Sequence, residues 1–123
     1  DDSQIMVVAE WDSLLALEQG GFFKGKYMIL GGLLAPLDGV EPQTLEMGRL
    51  KSRLREGEVT EVVLALGTTI EAENTASYIR NLVEKETAHI QVTRLAQGIP
   101  LGSEVKYMDK ETLRQSLVHR QKL

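Results

Sequence analysis

One stretch near the middle of the chain constrains the fold more than any other. Residues 62–66 are all apolar and form a run of strand length, which breaks at Gly67-Thr68-Thr69. Beyond the break, apolar residues recur at the spacing of one helix face, namely at Ala72, Ala76, Ile79 and Val83. The stretch therefore predicts a buried strand followed by a helix, with polar residues at the helix N-terminus. In open α/β sheets, ligands gather at the carboxyl ends of such strands.

The composition predicts one soluble domain and limits the classes of partner that the domain could bind. With 123 residues, of which 42% are hydrophobic and 26% charged, the chain has room for a single core. The net charge of −4 provides no general attraction for phosphate or anionic lipid, so contact with nucleic acid would have to be local or shared with other chains. The absence of cysteine excludes disulfides and thiolate metal sites, and no apolar run reaches membrane-spanning length. We therefore expect a cytoplasmic protein.

Two further strand patterns precede the central stretch. Residues 5–9 form a buried strand pattern, with Glu10 at its carboxyl end. Asp12 or Ser13 is the predicted cap of the helix that follows. Lys26–Leu30 predicts a second strand that ends at a pair of glycines.

The segment between the second strand and the central stretch contains a loop and a helix. Residues 33–42 hold two prolines and an Asp-Gly pair, which predict an irregular loop with a tight turn. We expect the leucines of so long a loop to pack on the protein. Met47, Leu50 and Leu54 predict a short amphipathic helix with basic residues between them. Those residues are interpreted as solvated charge, although they could contact phosphate.

The last third of the chain predicts one more strand and a helix. Residues 90–95 alternate and are rich in β-branched side chains, which favours a strand near a sheet edge. Asp109 can cap a last helix, with Arg120 and Lys122 near its negative end. Strands that alternate with helices predict an α/β fold, with a mainly parallel four-stranded sheet and helices on both faces.

Four segments match one family in order and spacing. They are Val7-Val8 through Leu17-Glu18, Leu30-Gly31-Gly32 with Pro36–Gly39, Thr69–Ala76, and Arg94–Gly102 with Asp109 and Thr112-Leu113. In these segments the chain resembles the bacterial recombination mediator RecR, whose central part is a Toprim domain. The resemblance assigns residues 1–97 to the Toprim domain. It assigns residues 98–123 to a C-terminal segment that packs on this domain or on a neighbouring subunit.

The RecR resemblance also implies parts that this chain lacks. RecR proteins have a helix-hairpin-helix segment and a four-cysteine zinc site before the Toprim domain, so we interpret the chain as a fragment and expect zinc only in the absent part. In the family, subunits form a ring that can encircle DNA. With RecO and RecF, the ring helps to load RecA onto single-stranded DNA. The resemblance therefore implies a non-catalytic clamp and adaptor in DNA repair and recombination, with RecO, RecF, DNA and further copies of itself as partners.

The resemblance also indicates a lost metal site. Catalytic Toprim domains hold divalent metal with a glutamate after the first strand and a DxD pair after the third. Alignment with the family places Ala9 at the glutamate position, and Gly67 and Thr69 at the DxD positions. Since hard cations need several oxygen ligands, we expect no metal cofactor and no catalysis in this chain.

Two alternative functions remain open at this point. Glu10 could turn inward beside Glu71 and Glu73 and form a weak magnesium site, which would favour a metal-dependent nuclease or a primase-like enzyme. Otherwise Glu71 and Glu73 are interpreted as acids that stabilise a helix N-terminus, or as part of an acidic docking surface. An unrelated doubly wound domain that binds a small ligand is the other possibility.

Two groups of residues are predicted to contact partners. Trp11 could stack on a base or lie at a subunit contact, although local packing is the favoured interpretation. The residues predicted to face DNA or a protein partner are Glu10, Trp11, Thr68, Thr69, Glu71 and Glu73. Ile99, Pro100 and Leu101 are the predicted subunit contact, because they are clustered apolar residues without a periodic pattern that would bury them internally.

Overall fold

The computed structural model describes residues 3–86, 89–95 and 117–123. Strands and helices alternate along the described chain, as the sequence predicts. The elements are β1 (Gln4–Val8), α1 (Trp11–Gly20), β2 (Lys26–Ile29), α2 (Met47–Arg55), β3 (Glu61–Ala65), α3 (Ile70–Glu86), β4 (Gln91–Arg94) and β5 (Gln121–Lys122).

The sheet has the strand order β2-β1-β3-β4-β5. The strands β1 to β4 are parallel to one another, which confirms the predicted four-stranded parallel sheet. The short β5 adds an antiparallel pairing with β4. Arg120 lies just past the helical residues 117–118 and donates to the Leu117 carbonyl, whereas Lys122 lies in a strand that the sequence does not predict. Pairing with β4 satisfies the backbone there, since the Leu123 N–H also donates to the Val92 carbonyl at 3.2 Å.

Helices cover both faces of the sheet, as predicted. Successive side chains of a strand point to opposite faces, so a strand buried on both sides is apolar throughout. Ile5 and Val7 of β1 pack with α2 and α3, whereas Met6 and Val8 pack with Leu17 of α1. The core thus has two layers, one on each side of the sheet.

Helix α1 begins earlier than the sequence predicts. Its N-cap residue is Glu10, and the Glu10 side chain makes no capping hydrogen bond. Asp12 lies inside the first turn, so the prediction that Asp12 or Ser13 caps the helix is wrong. In the first turn, the Asp12 carboxylate lies near the positive end of the helix dipole, which is a favourable position for an acid. The helix ends at Gly20, and Gly21 follows as its C-cap in the left-handed conformation, with φ +67°.

The loop after β2 is ordered by a small backbone bridge. Ala35 and Val40 pair across a single turn of 3-10 helix at Pro36–Asp38. Leu34 is buried, as expected for a leucine in a long loop, but Leu37 is wholly exposed. The expectation that the loop leucines pack on the protein is wrong for Leu37, because the turn directs this side chain outward.

The domain boundary and part of the C-terminal segment stay predictions. The predicted cap Asp109 and the predicted subunit contact Ile99-Pro100-Leu101 lie outside the described residues.

Candidate functional site

The candidate site lies where β1 and β3 end. Val8 is paired in register with Ala65, so the segments that follow these two residues leave the sheet at the same edge. Gly67 turns the chain after β3 with φ +97°, a value that favours glycine. Glu10 and Trp11 follow β1 at this edge, and Thr68 to Glu73 follow β3. The structure therefore brings the two predicted halves of the site to one edge.

The first turn of α3 is stabilised by its own residues. The Ala72 N–H donates to Thr69 Oγ1 at 3.1 Å, so Thr69 caps the helix. Glu71 and Glu73 lie in the first turn, near the positive end of the helix dipole. This placement confirms the interpretation of both acids as helix N-terminal residues. Thr69 thus has a structural role at a position where catalytic Toprim domains carry an acid.

An arginine from β4 neutralises one of these acids. Arg94 Nη1 donates to the two carboxylate oxygens of Glu73 at 2.8 and 3.1 Å. The Nε atom of Arg94 is buried and has no hydrogen-bond partner in the described structure. The sequence places Arg94 in a segment that matches the family but predicts no role for it at this site, although an isolated cation at the end of a β-branched strand was a usable signal. The pair reduces the capacity of Glu73 to act as a metal ligand.

The predicted carboxylates do not assemble into a metal cage. Across residues 3–86, 89–95 and 117–123, no group of three or more His, Cys, Asp or Glu side chains could hold a metal ion. Glu10, Glu71 and Glu73 are all exposed, and Glu73 is paired with Arg94. The geometry is therefore that of an acidic protein surface.

Two large apolar side chains stand out at the same edge. Trp11 is 58% exposed, so the favoured interpretation of local packing is wrong. Ile70 is 77% exposed at the first position of α3. The sequence analysis missed Ile70, yet its position two residues before Ala72 is out of phase with the buried face of the helix. We call Glu10, Trp11, Ile70 and Glu71 the edge surface.

A polar network on the α1 face of the sheet was also missed by the sequence analysis. Glu61 accepts hydrogen bonds from Gln4 Nε2 at 2.8 Å and from Thr93 Oγ1 at 2.7 Å. Arg120 reaches the same carboxylate with two nitrogens, at 2.6 and 3.1 Å, and also donates to the Leu117 carbonyl at 3.1 Å. These bonds attach residues 117–123 to the sheet. We call this set the Glu61 network.

The protonation of Glu61 reflects two opposing effects. Burial acts to raise the pKa of its carboxyl, but the hydrogen bonds from Arg120, Gln4 and Thr93, together with the charge of Arg120, outweigh burial. The net result is a pKa below the ordinary value of 4.5. Glu61 is therefore ionised at neutral pH, and its charge is compensated within the fold.

A cleft also occurs away from the edge surface. It has a volume of about 430 Å³ and lies beside the start of β4, where Arg80, His89, Gln91 and Lys122 are among its lining residues.

No helix in the described part of the chain is both long and apolar enough to cross a membrane.

Comparison with known families defines the class of protein. The family model of the Toprim domain matches residues 3–96, which is most of the chain. The chain belongs to the Toprim domain family. The alternative of an unrelated doubly wound domain is therefore wrong, even though a cleft exists outside the strand-helix junction.

A second match and individual relatives give the particular type of Toprim protein. The family model described as RecR, C-terminal, matches residues 98–121. The chain is 65% identical to recombination protein RecR of Nitratidesulfovibrio vulgaris over 119 residues, which are 97% of this chain and 59% of that protein. It is 61% identical to recombination protein RecR of Maridesulfovibrio salexigens over 123 residues, which are 100% of this chain and 61% of that protein. The resemblance to RecR is confirmed, and the chain spans about three fifths of the length of these relatives.

Proposed function

We propose that the chain is the Toprim and C-terminal part of a non-catalytic mediator of DNA recombination and repair, acting as a clamp and adaptor. The relatives named RecR support the recombination role. The observation that supports the adaptor role most directly is the edge surface. Its exposed Trp11 and Ile70 are each next in sequence to an exposed acid, Glu10 and Glu71, at the edge where catalytic Toprim domains hold metal.

The chemistry of the edge surface favours a protein partner over DNA. Exposed tryptophan and isoleucine side chains are typical anchors of protein interfaces, and acids at the rim complement a basic partner. The same acids repel the phosphate backbone of DNA. We propose RecO as the partner that this surface contacts. RecF is the second proposed protein partner, in a larger assembly.

The clamp role depends on parts of the protein beyond the edge surface. We propose that copies of the protein assemble into a ring through the C-terminal segment, with Ile99, Pro100 and Leu101 at the contact. Most of the affinity for DNA is assigned to an N-terminal part with a zinc site, because a net charge of −4 weakens phosphate binding by this chain. The proposed location is the cytoplasm, where DNA is repaired.

The edge surface can be tested by measuring the affinity for RecO. Replacing Trp11 by alanine is expected to weaken binding of purified RecO about tenfold, because truncating a central aromatic anchor removes on the order of 1–2 kcal/mol of binding free energy. Isothermal titration calorimetry with the full-length protein and RecO of the same organism measures the change.

The matched control for Trp11 is another exposed apolar residue. Val118 is 56% exposed and lies outside the edge surface, so Val118→Ala is expected to bind RecO as the wild type does once size-exclusion chromatography shows that it assembles normally, since it lies in the C-terminal segment. Equal affinities of the wild type and Trp11→Ala would show that the edge surface does not contact RecO.

The absence of catalysis is proposed and can be tested with magnesium. We expect titration of Mg²⁺ into the chain to give no saturable heat below millimolar concentrations, because Glu73 is paired with Arg94 and the acidic DxD positions are occupied by Gly67 and Thr69. A Glu71→Gln variant should behave in the same way. Saturable binding that Glu71→Gln abolishes, together with Mg²⁺-dependent cleavage of DNA, would instead favour the nuclease alternative.

A further inference from the structure

Leu37 is the most exposed large apolar residue in the described part of the chain. Its relative exposure is 102%, so the folded protein covers none of its surface. An isolated leucine at a surface is common, but one that is wholly uncovered at the tip of a turn contributes nothing to the core. The conformation of the loop that carries it decides whether the side chain is presented in a fixed position.

The loop that carries Leu37 has a well-defined backbone conformation. The Ala35 N–H donates to the Val40 carbonyl at 2.9 Å, and the Val40 N–H donates to the Ala35 carbonyl at 3.0 Å. Within the turn, the Asp38 N–H donates to Ala35 at 2.9 Å and the Gly39 N–H donates to Pro36 at 3.1 Å. A proline with restricted φ opens the turn, and Gly39 closes it in the left-handed conformation with φ +79°. The tip is thus held by four backbone hydrogen bonds.

The base of the loop is attached to the core. Leu34 is buried, and its backbone N–H donates to Thr75 Oγ1 of α3 at 2.9 Å. Val40 packs against the core on the α2 and α3 face. Leu37 is therefore presented on a rigid support, and its insertion into a partner would order little additional chain.

The charges around the tip indicate the kind of partner. Asp38 is exposed and directly follows Leu37, and Glu41 is exposed four residues after Leu37. Such acids oppose contact with nucleic-acid phosphate and with anionic lipid, and they complement a cationic rim on a protein.

We propose that Leu37 is an anchor residue that inserts into an apolar pocket with a basic rim on a partner protein. The inference rests on the proposed adaptor function and adds a contact that the edge surface does not include. The loop follows β2, which pairs with β1 up to Val8 and Ile29, so it leaves the sheet at the same edge as Trp11. One partner, which we take to be RecO, can contact both.

The test compares Leu37→Ser with Val118→Ser in RecO binding by the full-length protein. Leu37→Ser is expected to weaken binding at least tenfold without changing the circular dichroism spectrum or the midpoint of urea unfolding, because the side chain is fully exposed and outside the core. Val118→Ser removes another exposed apolar side chain, in the C-terminal segment, and is expected to bind RecO with wild-type affinity in a preparation whose assembly is shown to be unchanged by size-exclusion chromatography. Asp38→Lys tests the basic rim and is expected to weaken binding as well, with a loss that shrinks as salt is raised.

The outcomes separate this inference from the proposed function. If Trp11→Ala weakens RecO binding but Leu37→Ser does not, the anchor is wrong and the adaptor surface stands. If Asp38→Lys binds RecO as tightly as the wild type does, the pocket rim is not basic and the inference fails. If RecO does not bind the wild-type protein, both the proposed adaptor role and the anchor are wrong.

Discussion

Replacing Glu61 by alanine is expected to lower the free energy of unfolding by about 3 kcal/mol, because it leaves three hydrogen-bonding partners without their shared acceptor. Gln4, Thr93 and Arg120 all donate to this carboxylate. Arg120 would lose both of its hydrogen bonds to the carboxylate, so residues 117–123 would be attached to the sheet less firmly. Urea denaturation of the 123-residue chain measures the change.

The control for this prediction is a nearby acid outside the network. Glu58 is exposed and forms no ion pair in the described structure, so Glu58→Ala is expected to change the free energy of unfolding by less than about 0.5 kcal/mol. Hydrogen exchange offers a second measurement, since the Leu123 amide that donates to Val92 should exchange faster in Glu61→Ala. Unchanged protection of this amide would contradict an attachment through Glu61.

The same network predicts a dependence of stability on pH. The pKa of Glu61 is lower in the folded chain than its ordinary value of 4.5. A depressed folded pKa means that the stabilising contribution is fully present above the unfolded pKa and is lost as the pH falls through the folded pKa. The difference in stability between the wild type and Glu61→Gln should therefore be constant near neutral pH and shrink below about pH 4.5. A difference that grows on acidification would contradict this assignment.

Replacing Thr75 by valine is expected to cost about 2 kcal/mol of unfolding free energy, although valine has nearly the same shape. Thr75 is completely buried, and its hydroxyl accepts from the Leu34 N–H while donating to the Glu71 carbonyl at 2.7 Å. Valine would leave the buried Leu34 N–H without a partner, which is the costly case for a hydrogen bond. Thermal or urea unfolding measures the loss.

Two further variants distinguish the contribution of the Thr75 hydroxyl to stability from that of its methyl group. Thr75→Ser keeps the hydroxyl and is expected to retain most of the stability that Thr75→Val loses. Ser77 is exposed on the same helix, and Ser77→Ala should be nearly neutral. If Thr75→Ser were as destabilised as Thr75→Val, packing of the methyl group would explain the effect and the role of the hydrogen bond would be wrong.

Thr75 also connects stability with the proposed anchor. Its hydroxyl holds the base of the loop that carries Leu37, so Thr75→Val is expected to loosen that loop as well. A variant that is less stable and also binds RecO less tightly would then have two causes. The exposed substitution Leu37→Ser is therefore the cleaner test of binding, because it leaves the loop backbone intact.

The sequence predicted the elements whose pattern is local. Continuous apolar runs at residues 5–8 and 62–65 identified the two central strands because both faces of the sheet are covered. The phase of Ala72, Ala76, Ile79 and Val83 identified α3 and its buried face. The resemblance to RecR then predicted partner-facing residues after β1 and β3, and the structure brings these two segments to one edge of the sheet.

The same local patterns gave wrong predictions for the start of α1 and for the exposure of two side chains. Asp12 and Ser13 are good capping residues, yet α1 begins at Trp11 because the chain turns out of β1 two residues after Val8. Trp11 was expected to pack locally, and the Leu37 side chain was expected to be covered. In both cases burial depends on which neighbours the fold supplies, which no spacing along the chain reveals.

The amino-acid sequence by itself determined the alternation of strands and helices and the faces that are buried, because both depend on residue type and short-range periodicity. The tertiary structure alone decided that Arg94 neutralises Glu73, that Arg120 joins Glu61 across 59 positions of sequence, and that Trp11, Leu37 and Ile70 stay exposed. Such contacts join residues on different elements. They arise only when parallel strands align in register and bring distant side chains to one edge or one face of the sheet.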